Sequence, residues 1–539
     1  MHQDTPRADL VLVGTVLTVD TDLPRVEAVA IRGERILAVG AAADMPIGPD
    51  TDVVDLGGRC VLPGFVEAHG HVVTEALLFG SGFLVDIRAS AMGSAADVLA
   101  TIRRGVAAGH VTMFGWDPLS FPDLPLARPE FLNRIAPDRP LVVLHHSGHA
   151  AWFNDEAARI AGIDRNTPDP PGGSWGRDAY GELDGSARGI DAIRRVTGPV
   201  SPGESELPAG LSEVYARTCA AGLTTISEMA CLPAWRDILL DPATRPSANL
   251  RLRLYEPTTP ELRIPVGPFA GDDMVREVGV KVWVDGTPWA GTIAVSFPYL
   301  DTELTRRLGR GDRPRASTNY TWEQLAEVVD AYFPYGWQIA SHAHGDLAID
   351  MVLDVYESVL SRYPRPDHRL RLEHVGAMRP DQFARAARLG VTASVFMDHV
   401  YFWGDVLTDE LFGPKYGARW AAARSAVDAG MRISLHNDPP STPENPLHNI
   451  TVATTRRSRS GRVLAPEERL TVTQAIRAQT LDAAYQLFAD DIAGSITPGK
   501  YADLVVLSAD PYTVDPGDIA RLDVVATYLG GRRTHGDPL

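Results

Sequence analysis

The run "PGFVEAHGHV", residues 63–72, carries two histidines two positions apart, His69 and His71. On a strand, side chains at i and i+2 share a face, so these imidazoles can converge on one metal ion. Spacing alone does not decide it, because a lone His-X-His is common in a chain this long and a single histidine more often packs in a core. Further candidates stand in runs of the same character: "ASHAHGD" holds His342 and His344, "LRLEHVG" holds His374, and "ISLHND" holds His436 and Asp438. In "GVKVWVDG", Lys281 alternates with Val280, Val282 and Val284. If the valines face outward, the lysine points inward, where an ammonium is costly unless something compensates it. An Asp before two prolines is by itself a turn residue. Taken jointly, imidazole and carboxylate groups closing successive strands would meet at one point, as a zinc or similar divalent ion requires.

The elements that must position these residues are legible along the chain. Between residues 210 and 485, strand-like runs alternate with helical stretches: "GVKVWVDG", "WQIASHAHGD", "LRLEHVG", "VTASVFM" and "RISLHND". Repeated βα units of this extent favour a closed barrel, whose chemistry gathers at the C-terminal ends of its strands. Both chain ends are instead β-rich. "DLVLVGTVLTV", "AVAIRGERILAVG" and "DVVDLGGRCVL" near the N-terminus have the look of a small antiparallel sheet. "GSITPGKYADLVVLSADP" and "DVVATYLGGRRTH" match that character at the C-terminus, after a helical "TVTQAIRAQTLDAAYQLFA". The expected fold is α/β: a distorted (β/α)8 TIM barrel over residues 63–485, with residues 1–62 and 486–539 forming a small composite β-sandwich domain. Residues from about 80 to 210 exceed simple βα units and contain "NTPDPPGGSWGRD" and "TGPVSPGESELPAG", so an insertion over the barrel mouth is expected there.

Composition fits this plan. At 539 residues, with 45% hydrophobic and 22% charged, the chain can bury a large core and has room for a second, smaller domain. A net charge of −18 without a dense Lys/Arg run argues against nucleic acid and anionic membranes as partners. Cys60, Cys219 and Cys231 are odd in number and lack Cys-X-X-Cys spacing, which fits neither a disulfide framework nor a thiolate zinc cluster and suits a reducing compartment. With no leader-like N-terminal segment and no apolar run of about 20 residues, the expected location is cytoplasmic.

With these motifs in order, the sequence resembles the metal-dependent amidohydrolase superfamily, and within it the branch that includes N-substituted formamide deformylases. The resemblance is carried by "LPGFVEAHGHV", "VKVWVDGT", "HAHGD", Glu373-His374 and Asp438. It extends through the insertion ("GWDP", "PDRPLVVLHHSGHAAWFN", "PPGGSWGRDAYGELDGSARG") and the closing "GSITPGKYADLVVLSADP". The resemblance implies that His69, His71 and Asp438 bind a buried metal, and that Lys281 carries a CO2-derived carbamate bridging to a second ion on His342 and His374. Two Zn²⁺ ions per chain would fit, with Mn²⁺, Fe²⁺ or Co²⁺ as substitutes. A metal-bridging hydroxide would then attack a carbonyl, with Asp438 as the catalytic general base. The sequence departs from the family pattern at Glu67, Gly70, His344 and His436, and the choice of His342 over His344 as ligand rests on motif register alone.

For substrate binding, "SGHAAWFN" offers His149 and Trp152, and "FMDHVYFWGD" offers His399, Tyr401 and Trp403, with His149 and His399 preferred. Aromatics in such runs also serve as core. The expected partner is a small amide-like molecule, and a homodimer is compatible with the sequence. The leading function is hydrolysis of a C–N bond in a linear amide or N-substituted formamide. The same centre would also suit a cyclic amide, a carbamate, a lactone or a deamination, and a non-catalytic scaffold would instead have lost ligands.

Overall fold

The computed structural model describes residues 6–79, 84–170, 173–200, 207–243, 245, 249–258, 267–307 and 318–539. From the N-terminus, β1 (Leu10–Leu17), β2 (Arg25–Arg32), β3 (Arg35–Gly40) and β4 (Asp52–Pro63) lead into the short β5 (Phe65–Glu67). A second group follows: β6 (Leu84–Asp86), β7 (Thr112–Trp116), β8 (Val142–His145), β9 (Ala150–Phe153), β10 (Ser174–Arg177) and β11 (Leu183–Arg188). Then come β12 (Leu223–Glu228), β13 (Arg251–Pro257), β14 (Val275–Trp283), β15 (Gln338–Ala343), β16 (Arg371–His374), β17 (Thr392–Phe396) and β18 (Ile433–His436). The chain closes with β19 (Leu504–Leu507), β20 (Val524–Leu529) and β21 (Arg532–His535).

Eight strands form a parallel sheet in the order β18-β17-β16-β15-β14-β13-β12-β5, a nearly closed barrel. Where β18 and β5 approach, the Asn437 backbone N–H donates to the Glu67 carboxyl at 3.3 Å and the His71 N–H donates to the Pro439 carbonyl at 3.1 Å. Alternation along β14 works as its sequence requires. Val280, Val282 and Val284 pack into one core with Leu325 and Val329 of the helix Trp322–Tyr332 and with Ile349 and Leu353 of the helix Asp346–Arg362. Each such aliphatic side chain contributes about 1.5–3 kcal/mol by leaving water, so the valine face fixes the strand's rotation and forces Lys281 inward, where it is fully buried.

The barrel interior is polar as well as apolar. Tyr255 donates its hydroxyl to Gln338 Oε1 at 2.5 Å, Arg371 donates to the Tyr255 oxygen at 3.2 Å, and Arg371 makes two bonds to Glu373 at 2.5 and 2.9 Å. Because each buried charge meets a partner, the desolvation cost of Arg371 and Glu373 is offset.

Both chain ends build a seven-stranded sheet in the order β21-β20-β19-β4-β1-β2-β3. Its pairs are antiparallel, as its sequence suggests, except that β1 and β4 run parallel. "AVAIRGERILAVG" turns back on itself as the β2–β3 hairpin. The helical stretch at 471–489 is two helices, Val472–Ala478 and Leu481–Gln486. The break falls where Gln479 turns to β5: its side-chain amide donates to the Val66 carbonyl at 3.0 Å, and its own carbonyl accepts from the Val66 N–H at 2.9 Å.

Within the expected insertion, six strands form a third sheet, β10-β11-β9-β8-β7-β6. Its Pro/Gly-rich stretches run into 171–172 and 201–206, outside the described residues. The segment is tied to the barrel by Trp403 Nε1–H donating to Asp117 Oδ2 at 2.6 Å and by Arg88 donating to the Pro440 carbonyl at 2.7 Å. Pro440 follows Asp438 closely in sequence, so this second bond places the segment beside the C-terminal ends of the barrel strands. Among the described residues no helix is long and apolar enough to cross a membrane.

Candidate metal centre

Residues at or just beyond the ends of β5, β14, β15, β16 and β18 carry the candidate ligands, because parallel strands deliver all their C-terminal ends to one face. Two glycines in these motifs are required by close approach. A Cβ on Gly286 would stand 2.0 Å from Thr292 Oγ1, and one on Gly345 would stand 2.0 Å from the Ala294 carbonyl oxygen. Two non-glycine site residues adopt left-handed backbone, His374 at φ 72° and Asp438 at φ 55°, a conformation that persists only where the surroundings impose it.

His69, His71 and Asp438 form one group whose ligand atoms lie within 4.8 Å of one another. Asp438 Oδ1 is 3.5 Å from His69 Nε2 and 3.6 Å from His71 Nε2. Lys281 Nζ stands 3.2 Å from the same His69 Nε2. A carboxylate stands behind each imidazole, hydrogen-bonded at His69 and only nearby at His71. Glu373 Oε2 lies 2.6 Å from His69 Nδ1, and Glu228 Oε1 lies 3.6 Å from His71 Nδ1. At His69 the carboxylate at Nδ1 fixes the tautomer and turns the Nε2 lone pair toward the centre of the group.

His342, His344 and His374 form a second group of the same compactness, and His69, His374 and His436 a third that overlaps both. His342 Nε2 lies 2.8 Å from the Gly286 carbonyl oxygen, so Nε2 carries the proton and donates it. His374 Nδ1 lies 3.1 Å from His436 Nε2, and His436 Nδ1 lies 2.7 Å from Ser394 Oγ. Behind His344, the Asp285 carboxyl accepts from the backbone N–H groups of His344 and Gly345 at 2.9 and 2.7 Å.

Burial sets the protonation states. It holds His69, His342, His344, His374, His399 and His436 well below the usual imidazole range, so they are neutral near pH 7, the form that offers a lone pair to a metal. Burial likewise brings Lys281 down to about 8, and lifts Asp438 to about 6 and Asp285 to about 7. A buried set of neutral imidazoles beside carboxyl groups suits a divalent cation of the zinc type.

The amidohydrolase family profile matches residues 52–535, nearly the whole chain. The chain belongs to the amidohydrolase family. This amidohydrolase is 30% identical to Protein LONG AFTER FAR-RED 3 of Arabidopsis thaliana, over 98% of this chain and 92% of that protein. It is 26% identical to an N-substituted formamide deformylase of Arthrobacter pascens over 98% of each. Its fold is that of an uncharacterized metal-dependent hydrolase from Pyrococcus horikoshii, with a TM-score of 0.72 at 23% identity over 94% of this chain and 99% of the other.

The residues expected to bind substrate in this amidohydrolase fall into different places. The His399 ring lies 5.2 Å from that of His344, and its Nδ1 accepts from Trp420 Nε1 at 3.2 Å, which leaves Nε2 as the donor. His149, on the loop before β9, is held down to about 4 by burial, with the charges of His71 and Lys281 adding to the effect. Trp403 stacks on His146 at 4.7 Å and anchors Asp117. Trp152 lies 6.0 Å from His145, and Tyr401 packs on His448 at 4.4 Å, so these two rings face structural neighbours. Glu228, Trp289 and Trp420 lie outside the set expected from the sequence, and Glu373 and Asp285 have no role in it. Glu228 and Glu373 were the findable ones, since each sits at the C-terminal end of its strand. Trp289, which lies 5.2 Å from His399 and 5.0 Å from Trp403, comes from the single 3-10 turn Pro288–Ala290, too short to carry a periodic signal.

Proposed function

We propose that this amidohydrolase cleaves the C–N bond of a linear amide or an N-substituted formamide, using two divalent ions, Zn²⁺ in the first instance. His69, His71 and Asp438 would hold one ion, His342 and His374 the other, and a carbamate on Lys281 would join them. The observation that carries this reading is the convergence of the ligand groups around a buried Lys281 whose amine is brought down to about 8. Such an amine reaches its neutral, CO2-reactive form far more often near neutral pH than an ordinary lysine does, and the resulting anion removes the cost of a buried ammonium. The relative named as an N-substituted formamide deformylase, aligned end to end, supports the choice of substrate class.

Bound metal supplies Lewis acidity that activates water and polarises the scissile carbonyl. The chain's own groups do the rest. Asp438 Oδ1, beside both His69 and His71, accepts the proton of the attacking water and passes it to the leaving nitrogen. Burial raises the Asp438 carboxyl to about 6, above the usual carboxylate range, which is the direction a general base needs. His399 Nε2–H, with the rings of Trp289 and Trp403 behind it, offers a donor on an aromatic wall suited to an apolar N-substituent.

The test is metal analysis of protein purified without chelator, followed by assays on alkyl- and aryl-substituted formamides for released formate and primary amine. About two divalent ions per chain and release of both products are expected. His71→Ala should lose metal and activity together. Asp438→Asn should lose about 10²–10⁴-fold in kcat while keeping much of the metal. Full activity in His71→Ala would refute the site, and release of ammonia alone would refute the reaction.

A further inference from the structure

His344 is where this chain parts from the ligand set that motif register supplies. Its imidazole is buried, 3% exposed, and its Nδ1 has no hydrogen-bond partner among the described residues. A buried ring nitrogen without a partner is costly and rare, and an ion at that atom would account for it. The ring is not free to turn elsewhere. It stacks on His374 at 4.6 Å and on Trp420 at 6.1 Å, and meets His342 edge-on at 4.9 Å. Its backbone is pinned on both sides, the N–H donating to Asp285 at 2.9 Å and the carbonyl accepting from the Ala377 N–H at 2.9 Å.

The two neighbours are prepared in the same sense. His342 commits Nε2–H to the Gly286 carbonyl, which leaves Nδ1 with its lone pair. His374 has Nδ1 against His436 Nε2, which leaves Nε2 for a ligand. The three residues bring one ligand atom each to within 4.8 Å of the others. Three neutral nitrogen ligands and an open fourth position make a sufficient protein contribution to a catalytic divalent site.

We infer that His342, His344 and His374 form a three-imidazole site that holds one divalent ion without any contribution from Lys281. This deepens the metal-dependent reading above and rests on it. The two ions then differ in what they need. The ion on His69, His71 and Asp438 depends on the Lys281 carbamate and therefore on CO2, whereas the ion on the three imidazoles loads without it.

The experiment is metal stoichiometry by elemental analysis after loading apo-protein with Zn²⁺, with and without bicarbonate, and buffer exchange. Wild type with bicarbonate should hold about two ions per chain. Lys281→Ala should hold about one, unaffected by bicarbonate, and adding His344→Ala or the smaller change His344→Asn should remove it. Loading Lys281→Ala with Co²⁺ gives an independent readout, since its visible absorption should report a nitrogen-ligated ion and be lost with His344. Folding of each variant is checked by circular dichroism. A folded Lys281→Ala without metal, or one whose ion survives both His344 substitutions, overturns the inference and leaves the hydrolase reading standing. Wild type that binds no metal under any condition overturns both.

Discussion

At the residue scale, the site depends on which buried groups stay neutral. Imidazoles this close together would repel if protonated, and burial prevents it by holding them below their usual range. Arg371 keeps its charge because Glu373 beside it offsets the cost of burial. Glu277 on β14 shows the contrary case. Burial, reinforced by Glu256, lifts its carboxyl to about 8, although Arg236 nearby acts the other way and Asp237 adds to the rise. A carboxyl raised above its unfolded value of 4.5 keeps its proton in the folded chain while the unfolded chain has released it. Its contribution is therefore fully present below pH 4.5 and is lost as pH rises through about 8. Glu277→Gln removes that dependence, so its melting temperature should fall less than wild type's between pH 6 and pH 8.5; identical slopes would show that Glu277 is not the group responsible.

At the element scale, Trp403 with Asp117 is one of the bonds that join the segment 84–188 to the barrel, and its two side chains are 2% and 0% exposed. Trp403→Phe keeps most of the ring packing against His146 and Trp289 but removes the N–H. Loss of a hydrogen bond to a carboxyl group costs about 1.5–3 kcal/mol, and here the cost falls on docking rather than on either sheet. Limited proteolysis with mass mapping should show faster cleavage between residues 84 and 188, with barrel fragments cut no faster. An unchanged cleavage pattern would mean the bond does not hold the segment in place.

At the scale of the whole molecule, the barrel and the terminal sheet are joined by Arg251 at the start of β13 and Asp503 just before β19. Two bonds of 2.6 and 3.0 Å link them, with both side chains nearly inaccessible to water. Asp503 also accepts from the Gly530 N–H at 2.8 Å, and the Arg251 guanidinium lies 3.8 Å from the Tyr501 ring centre. Removing one partner strands a buried charge, so Asp503→Ala should destabilise by about 3–5 kcal/mol, read as a large fall in the urea midpoint. A shift of only a few tenths of a molar would show that the pair adds little to joining the two sheets.

The sequence by itself determined the α/β plan, because strand alternation and turn residues are local signals, and its motifs carried the resemblance to the amidohydrolase superfamily: the valines of β14 already require an inward Lys281, and the β-rich ends already match one another in character. It also marked the histidines and aspartate that gather at the strand ends, since parallel strands deliver those ends to one face. Tertiary structure alone decided the pairings across the fold. Glu373 behind His69, Gly286 behind His342, His436 behind His374 and Asp503 under Arg251 join residues far apart in the chain or on neighbouring strands. No periodicity encodes such meetings, because they depend on how the barrel closes and on which ring nitrogen is left without a partner once it has.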